Sequence, residues 1–229
     1  MGFSECYTYS ATTAKNAGPN ALAISNPLNE DLSHLRTSLI PQLLAVLDRN
    51  QGYSSVLKLY ELSATYHAVK NDLPLQPMTL GLVTKGVDYL EFKGYIEGLL
   101  REMGVKNIPK LNIVTHPNHI LTLELNFEEL TVLTSRAKTY VPLTGFNSIR
   151  EDLTFVIHSG ITYQEIESII KETDNKIVGL QFKDIFKDSL TLSIEYLDRD
   201  KQISSQDTQA IRQKIFSNLE NKLSVRLKQ

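Results

Sequence analysis

Residues 153–196 read LTFVIHSGITYQEIESIIKETDNKIVGLQFKDIFKDSLTLSIEY, and the fold turns on how this stretch is parsed. Leu153, Phe155 and Ile157 alternate with Thr154, Val156 and His158, the period of a strand that buries one face. Thr162 and Glu165 are spaced as a capping box, opening a helix with Tyr163, Ile166, Ile169 and Ile170 on its inner side. Residues 177–186 make a strongly apolar strand. Asp188 and Ser189 form a tight turn, and Leu190, Leu192, Ile194 and Tyr196 alternate along the next strand. Downstream, Ser204 and Asp207 repeat the capping signal ahead of a helix with Ile211, Ile215, Leu219 and Leu223 spaced by four. Residues 225–227 suit a last short strand. The order is β-α-β-β-α-β, with both helices on one sheet face and the other face free to meet a partner.

That order is the split βαβ of a ferredoxin-like domain. Upstream of it the apolar periodicity lapses at residues 136–145 (RAKTYVPLTG), which divides the chain into domains at 1–138 and 139–229. The first domain mixes short strands and helices. Strands are expected at residues 3–11 and 21–25, separated by a turn at 14–20. Thr37 or Ser38 caps a helix with Pro41 in its first turn and Leu39, Leu43 and Leu47 on one face. Further strands are expected at 56–66, 79–84, 111–115 and 120–125. Phe92, Tyr95, Ile96, Leu99, Leu100 and Met103 mark a helix stopped by Gly104, and Asn126 caps a short helix over 127–135.

Apolar residues are 41% and charged residues 22% of the 229, the balance of a folded globular chain. No apolar run is long enough for a membrane helix, and residues 1–11 lack the basic and apolar regions of a signal peptide. Cys6 stands alone, so neither an intrachain disulfide nor a cysteine zinc cluster is possible, and a reducing cytoplasm is the expectation. Residues 1–139 hold 12 basic and 13 acidic side chains, and residues 140–229 again 12 and 13. Bulk charge therefore announces no nucleic-acid binder, no DNA partner is expected, and any RNA contact must come from a local patch. Residues 204–229 offer one, with Arg212, Lys214, Lys222, Arg226 and Lys228 against Asp207 and Glu220.

Catalytic signatures are missing. There is no phosphate-binding glycine loop, no nucleophile elbow and no zinc-binding helix motif. His116 and His119 are the one clustered pair and have no third ligand nearby, so they read as a turn with exposed imidazoles and no metal is expected. Gly94 and Gly98 fall in a helix and suggest close helix packing. Glu61 has no second carboxylate at a spacing that would make an acid–base pair.

Three blocks, residues 2–10 (GFSECYTYS), 26–44 (NPLNED running on to LRTSLIPQLL) and 57–62 (LKLYEL), occur in the order and spacing of a known family. Together they resemble the C-terminal third of the β subunit of bacterial phenylalanyl-tRNA synthetase. Residues 146–153 (FNSIREDL) resemble the start of that subunit's last domain, the ferredoxin-fold anticodon-binding domain. The resemblance covers essentially the whole chain and implies an α+β protein: a class II aminoacyl-tRNA synthetase-like antiparallel sheet domain, then a ferredoxin-like domain. It further implies that the first domain is non-catalytic and supports the catalytic α subunit in an α2β2 assembly. ATP and Mg would be used by that subunit, with no cofactor bound by this chain. Class II chemistry needs an Arg in the second signature strand, where charge develops on the ATP α-phosphate. The matching strand here reads Tyr60-Glu61-Leu62-Ser63-Ala64-Thr65 without one, and the glycine-rich third signature has no counterpart.

The second domain would present its open face to the anticodon region of tRNA(Phe), where unpaired bases stack or hydrogen-bond and cations meet phosphates. Alternation puts Thr154, Val156, His158, Thr191, Ser193 and Glu195 outward. Arg150, Lys183, Arg199 and Lys201 flank the sheet as phosphate contacts, with His158 and Thr154 beside the bases. The chain departs from the family at several points. Asn147 and Glu151 stand where the family has Pro and Arg, which suggests that an RNA-facing cation has moved or gone. The region between Leu111 and Leu125 and the turn at 186–189 are shortened. The family's upstream domains, including the editing domain, are absent, so Met1 reads as the start of a fragment and editing is not credited to it. Two rivals remain: a stand-alone interaction protein that no longer binds tRNA, and a small-molecule regulatory domain of the same topology.

Overall fold

The computed structural model describes residues 1–105, 108–135, 140 and 142–227. The chain divides into two compact units, Met1–Thr139 and Tyr140–Gln229. The sequence-expected boundary at 138/139 and the basic Lys228 lie outside the described residues.

The first unit runs β1 (Ser4–Glu5), β2 (Ala11–Thr12), a short 3-10 turn (Glu30–Leu32), β3 (His34–Leu35), α1 (Ile40–Arg49), β4 (Leu57–Ala64) and β5 (Met78–Lys85). It continues with α2 (Tyr89–Glu102), β6 (Val114–His116), β7 (Ile120–Asn126) and α3 (Phe127–Leu133). Its main sheet has the order β1-β4-β5-β7-β6, antiparallel except where β1 joins β4. Strand alternation sends Leu57 and Leu59 of β4 and Val83 of β5 to one face, where Leu39, Leu43 and Leu47 of α1 cover them. The opposite face carries Leu80, Leu82, Leu121 and Leu123 against Phe92, Ile96 and Leu100 of α2. Gly104 ends that helix at φ +80°, where a Cβ would strike the Ser135 carbonyl.

Local signals held better than long ones in this unit. The continuous strand expected over 3–11 is two short pieces, because Thr8 leaves the ladder and turns both its N–H and its hydroxyl to Glu61 of β4. Residues 21–25 contribute a single bridge, Ala23 to His34, in place of a strand. Leu39 at the N-cap of α1 supplies no side-chain bond, and the Ser38 hydroxyl accepts the Ile40 N–H at 3.2 Å, one of the two caps expected from the sequence. The Glu124 carboxylate, 85 residues away on β7, accepts the Leu39 N–H at 2.6 Å beside it. Gly94 does not serve close packing, since a Cβ there would meet nothing within 4 Å. His116 bonds Thr122 at 3.0 Å, and no group of three metal-ligating side chains occurs among the described residues.

The second unit is β8 (Ile149–Val156), α4 (Tyr163–Thr173), β9 (Ile177–Phe186), β10 (Ser189–Tyr196), α5 (Ser205–Leu223) and β11 (Arg226–Leu227). Its sheet has the order β11-β8-β10-β9, all antiparallel. Both helices pack on one face, over Leu153, Phe155, Leu190, Leu192, Ile194 and Tyr196, with Ile166, Ile170, Ile211, Ile215 and Leu219 from the helices. Strand β9, strongly apolar in composition, lies at the sheet edge and is largely exposed beyond Leu180, with Phe186 at 65%. Both capping boxes are formed.

At α5 the Ser204 hydroxyl and N–H both donate to the Asp207 carboxylate and hold its pKa down at about 2, against an ordinary 3.8. A carboxylate depressed on folding stabilises fully above its unfolded pKa and loses that contribution as pH falls through the folded one. Thermal stability of the wild-type chain should therefore decline from about pH 4 toward pH 2. An Asp207→Asn variant, followed by circular dichroism, should decline less over the same window.

Candidate functional site

Two surfaces bear on function, and the first is the α1 face of the larger sheet. Strand pairing puts Glu61, Gly81 and Glu124 in one row across β4, β5 and β7. At Gly81 the helix lies directly on the sheet, since a Cβ there would be 2.9 Å from both Leu39 Cβ and Leu43 Cδ1. Glu61 is 2% exposed and paired with Arg36, itself fully buried, at 2.9 Å. Arg36 Nη1 also donates to Thr8 Oγ1 (2.7 Å) and Gln42 Oε1 (3.0 Å), and its Nε to the Ala64 carbonyl (3.2 Å). Thr8 completes the ring by donating its hydroxyl to Glu61 at 2.7 Å. Glu124 is taken by the start of α1. Both carboxylates of the row are thus spent on structure, and the cation beside them is closed off from any nucleotide phosphate. The residues present do not fit ATP and Mg on this face. Sequence reasoning found the missing Arg in this strand but not Arg36, whose partner is 25 positions away.

The second surface is the face of the smaller sheet that the helices leave open. Pairing places Arg150, Asp152, Thr154 and Val156 of β8 on it, beside Thr191, Ser193 and Glu195 of β10 and Gln181 and Asp184 of β9. About 20 Å separates its Arg150 end from its Val156 end. Of the side chains singled out from sequence, Thr154 and Thr191 share a hydrogen bond at 3.0 Å. Arg150 lies 2.9 Å from Glu195, which also accepts from Ser148 Oγ at 2.7 Å. These two donors lower the Glu195 pKa, the hydroxyl first and the guanidinium second. Lys183 Nζ reaches over β10 to Asp152 at 3.8 Å. Ser193, expected outward, is on this face between Asp152 of β8 and Gln181 of β9, and is 3% exposed. His158 is exposed but lies past the end of β8, off the sheet. Arg199 and Lys201 stand on the loop after β10, at the Arg150 end. The structure thus brings Arg150, Arg199 and Lys201 to one end of the sheet, with Thr154 and Lys183 mid-sheet and His158 at the far end.

Glu151 does not stand where an RNA-facing cation was lost. It points to the helix side, accepting from Tyr196 Oη at 2.7 Å and pairing with Arg212 of α5 at 2.8 Å. Burial, then the carboxylate, push the Tyr196 phenol well above its ordinary pKa. Strand alternation leaves Arg150 as the outward residue of the two. Phe186 is the one aromatic that pairing places on the open face among the described residues, with Lys187 Nζ 5.5 Å from its ring centre.

Residues 1–134 match the family model described as the phenylalanyl tRNA synthetase beta chain CLM domain. The chain belongs to that synthetase β-chain family. Residues 145–228 match the ferredoxin-fold anticodon binding domain. The phenylalanine–tRNA ligase beta subunit of Listeria monocytogenes is 26% identical, aligned to 97% of this chain and 36% of its own length. That of Clostridium acetobutylicum is 25% identical over 91% and 32%. The chain therefore spans about a third of these relatives, matching a C-terminal part of the β subunit. The Listeria alignment runs over 286 positions, more than this chain contains, so that relative carries additional segments within the shared span. Among solved structures, a Desulfitobacterium hafniense pyrrolysyl tRNA synthetase, PylSc, aligns with TM-score 0.36 and 13% identity over 84% of this chain and 58% of that one. No described helix is long and apolar enough to cross a membrane.

Proposed function

We propose that this chain serves phenylalanine–tRNA ligation as a non-catalytic C-terminal portion of the β subunit. The first unit is a class II synthetase-like sheet whose reaction face has been closed by α1 and by the Arg36–Glu61 pair. Its work is to pack against and support a catalytic α subunit in an α2β2 assembly, where that partner uses ATP and Mg. The second unit offers its open sheet to the anticodon region of tRNA(Phe). The single observation that carries the reading is a helix-free, polar sheet face, flanked by cations, within a match to an anticodon-binding domain. Binding on this face would rest on hydrogen bonds from Thr154, Thr191 and Gln181 and on few phosphate contacts, since Phe186 is the one aromatic among its described residues.

An RNA hairpin with the tRNA(Phe) anticodon stem-loop sequence, titrated against the whole chain at several salt concentrations, tests this. Contacts to two or three phosphates give a slope of log K against log salt of roughly −1.5 to −2.5. Absent binding at low salt, or a flat response, would favour the stand-alone interaction protein.

A further inference from the structure

The four flanking cations of the second unit are not equivalent. Arg150 and Lys183 each face a carboxylate across the sheet, at 2.9 Å and 3.8 Å, so the face between them is close to neutral. The loop that follows β10 is built differently. Together with Asn175 and Lys176 from the turn before β9, Leu197, Asp198, Arg199, Asp200 and Lys201 line an open cleft of about 640 Å³. Asp198 is the organiser of this loop. Its carboxylate, 9% exposed, accepts from Lys176 Nζ at 2.9 Å and from the Asp200 N–H at 3.0 Å, and the Lys201 N–H adds to them. Those donors, the Asp200 N–H foremost, hold its pKa below the ordinary value. The charge of Asp198 is therefore consumed inward, by Lys176 and the backbone.

The side chains that the loop turns outward are Arg199, Asp200 and Lys201, all exposed. Arg199 has no ion-pair partner among the described residues. Lys201 is 3.5 Å from Asp207, a carboxylate already engaged by the Ser204 cap, and its own side chain is 60% exposed. A guanidinium with no ion-pair partner among the described residues and a loosely held ammonium two residues on, both lining one cleft, suit one anionic group of small size. The fork of Arg matches a phosphate with two parallel hydrogen bonds, and Lys adds a point charge.

We infer that the cleft of residues 175–176 and 197–201 is the RNA-phosphate seat of this chain, with Arg199 and Lys201 as the contacts and Asp198 as their positioning residue. This rests on the reading of the second unit as an RNA-binding domain. It assigns to the loop the phosphate contact that the sequence had spread over four cations, and it leaves Arg150 and Lys183 as parts of a neutral sheet surface.

The test uses the whole chain, the same RNA hairpin and four variants. Arg199→Ala with Lys201→Ala should reduce the salt slope by roughly 0.7–0.9, the release expected for the one phosphate that the two cations hold together, with affinity at low salt falling tenfold or more. Arg150→Gln with Glu195→Gln removes a pair without changing net charge and should leave affinity within about twofold. Asp198→Asn separates positioning from charge. Loss of a negative group beside RNA would by itself tighten binding, whereas a loosened loop weakens it, so the inference expects weaker binding. Asp200→Asn, which removes the same charge from a side chain that organises nothing, should tighten it. If the wild-type chain binds the hairpin but the Arg199/Lys201 variant keeps the full slope, or Asp198→Asn binds more tightly, the assignment of the cleft is wrong and the RNA-binding reading stands. If the wild-type chain does not bind at low salt, both fall.

Discussion

Replacing Arg36 with Met lowers the stability of the first unit by about 3–5 kcal/mol, the cost of leaving one member of a buried ion pair without its counter-charge. Arg36 and Glu61 are 1% and 2% exposed at their side chains, and water cannot compensate for either. Thr8 and Gln42 lose their shared donor at the same time. Adding Glu61→Gln to the variant should recover a substantial part of the loss. The amide is neutral, so no buried charge remains, while its oxygen still accepts from the Thr8 hydroxyl. Urea unfolding reads both effects as midpoint shifts. If the second substitution only adds to the loss of the first, the two groups are not coupled and the pair does not seal the face as described.

Phe155→Ala carries a comparable penalty in the second unit, about 3–5 kcal/mol for an aromatic ring removed from a core. Phe155 is 1% exposed, under both helices, with the Phe216 ring 6.2 Å away and nearly edge-on. A unit of this size, Tyr140–Gln229, has a total stability of only about 5–13 kcal/mol. The loss should thus appear as a thermal midpoint lowered by roughly 15 °C or more. Its neighbour Thr154 supplies the contrast. It faces the other way, with one hydrogen bond to Thr191, and Thr154→Ala should cost about 1 kcal/mol. Equal losses at the two positions would mean that the open face is packed against something.

The parts of this molecule that were legible in the sequence are those fixed by neighbours a few residues apart. Thr162 with Glu165 and Ser204 with Asp207 announce their helices because donor and acceptor are three positions apart. The alternation of Leu190, Leu192, Ile194 and Tyr196 names the buried side of β10 for the same reason. What was not legible depends on distant chain. Glu124 caps α1 from 85 residues away, and Thr8 is drawn out of its strand by a carboxylate 53 residues on. No local pattern distinguishes a Glu that meets an Arg in the core from one that meets solvent. The apolar composition of β9 says nothing of its place in the sheet, and sheet order places it outermost. On the open face, the outward positions of β8 followed from parity, whereas the burial of Ser193 required knowing that Asp152 and Gln181 flank it from the neighbouring strands.

The central claim is that this chain acts by contact and carries out no chemistry on the β4 face. The direct measurement is to incubate the chain alone with ATP, magnesium and phenylalanine and to follow pyrophosphate exchange. The account predicts no phenylalanyl adenylate and no exchange above a protein-free control. Exchange proportional to protein concentration, and abolished by Glu61→Gln, would show that the closed row of Glu61, Gly81 and Glu124 is a working reaction centre.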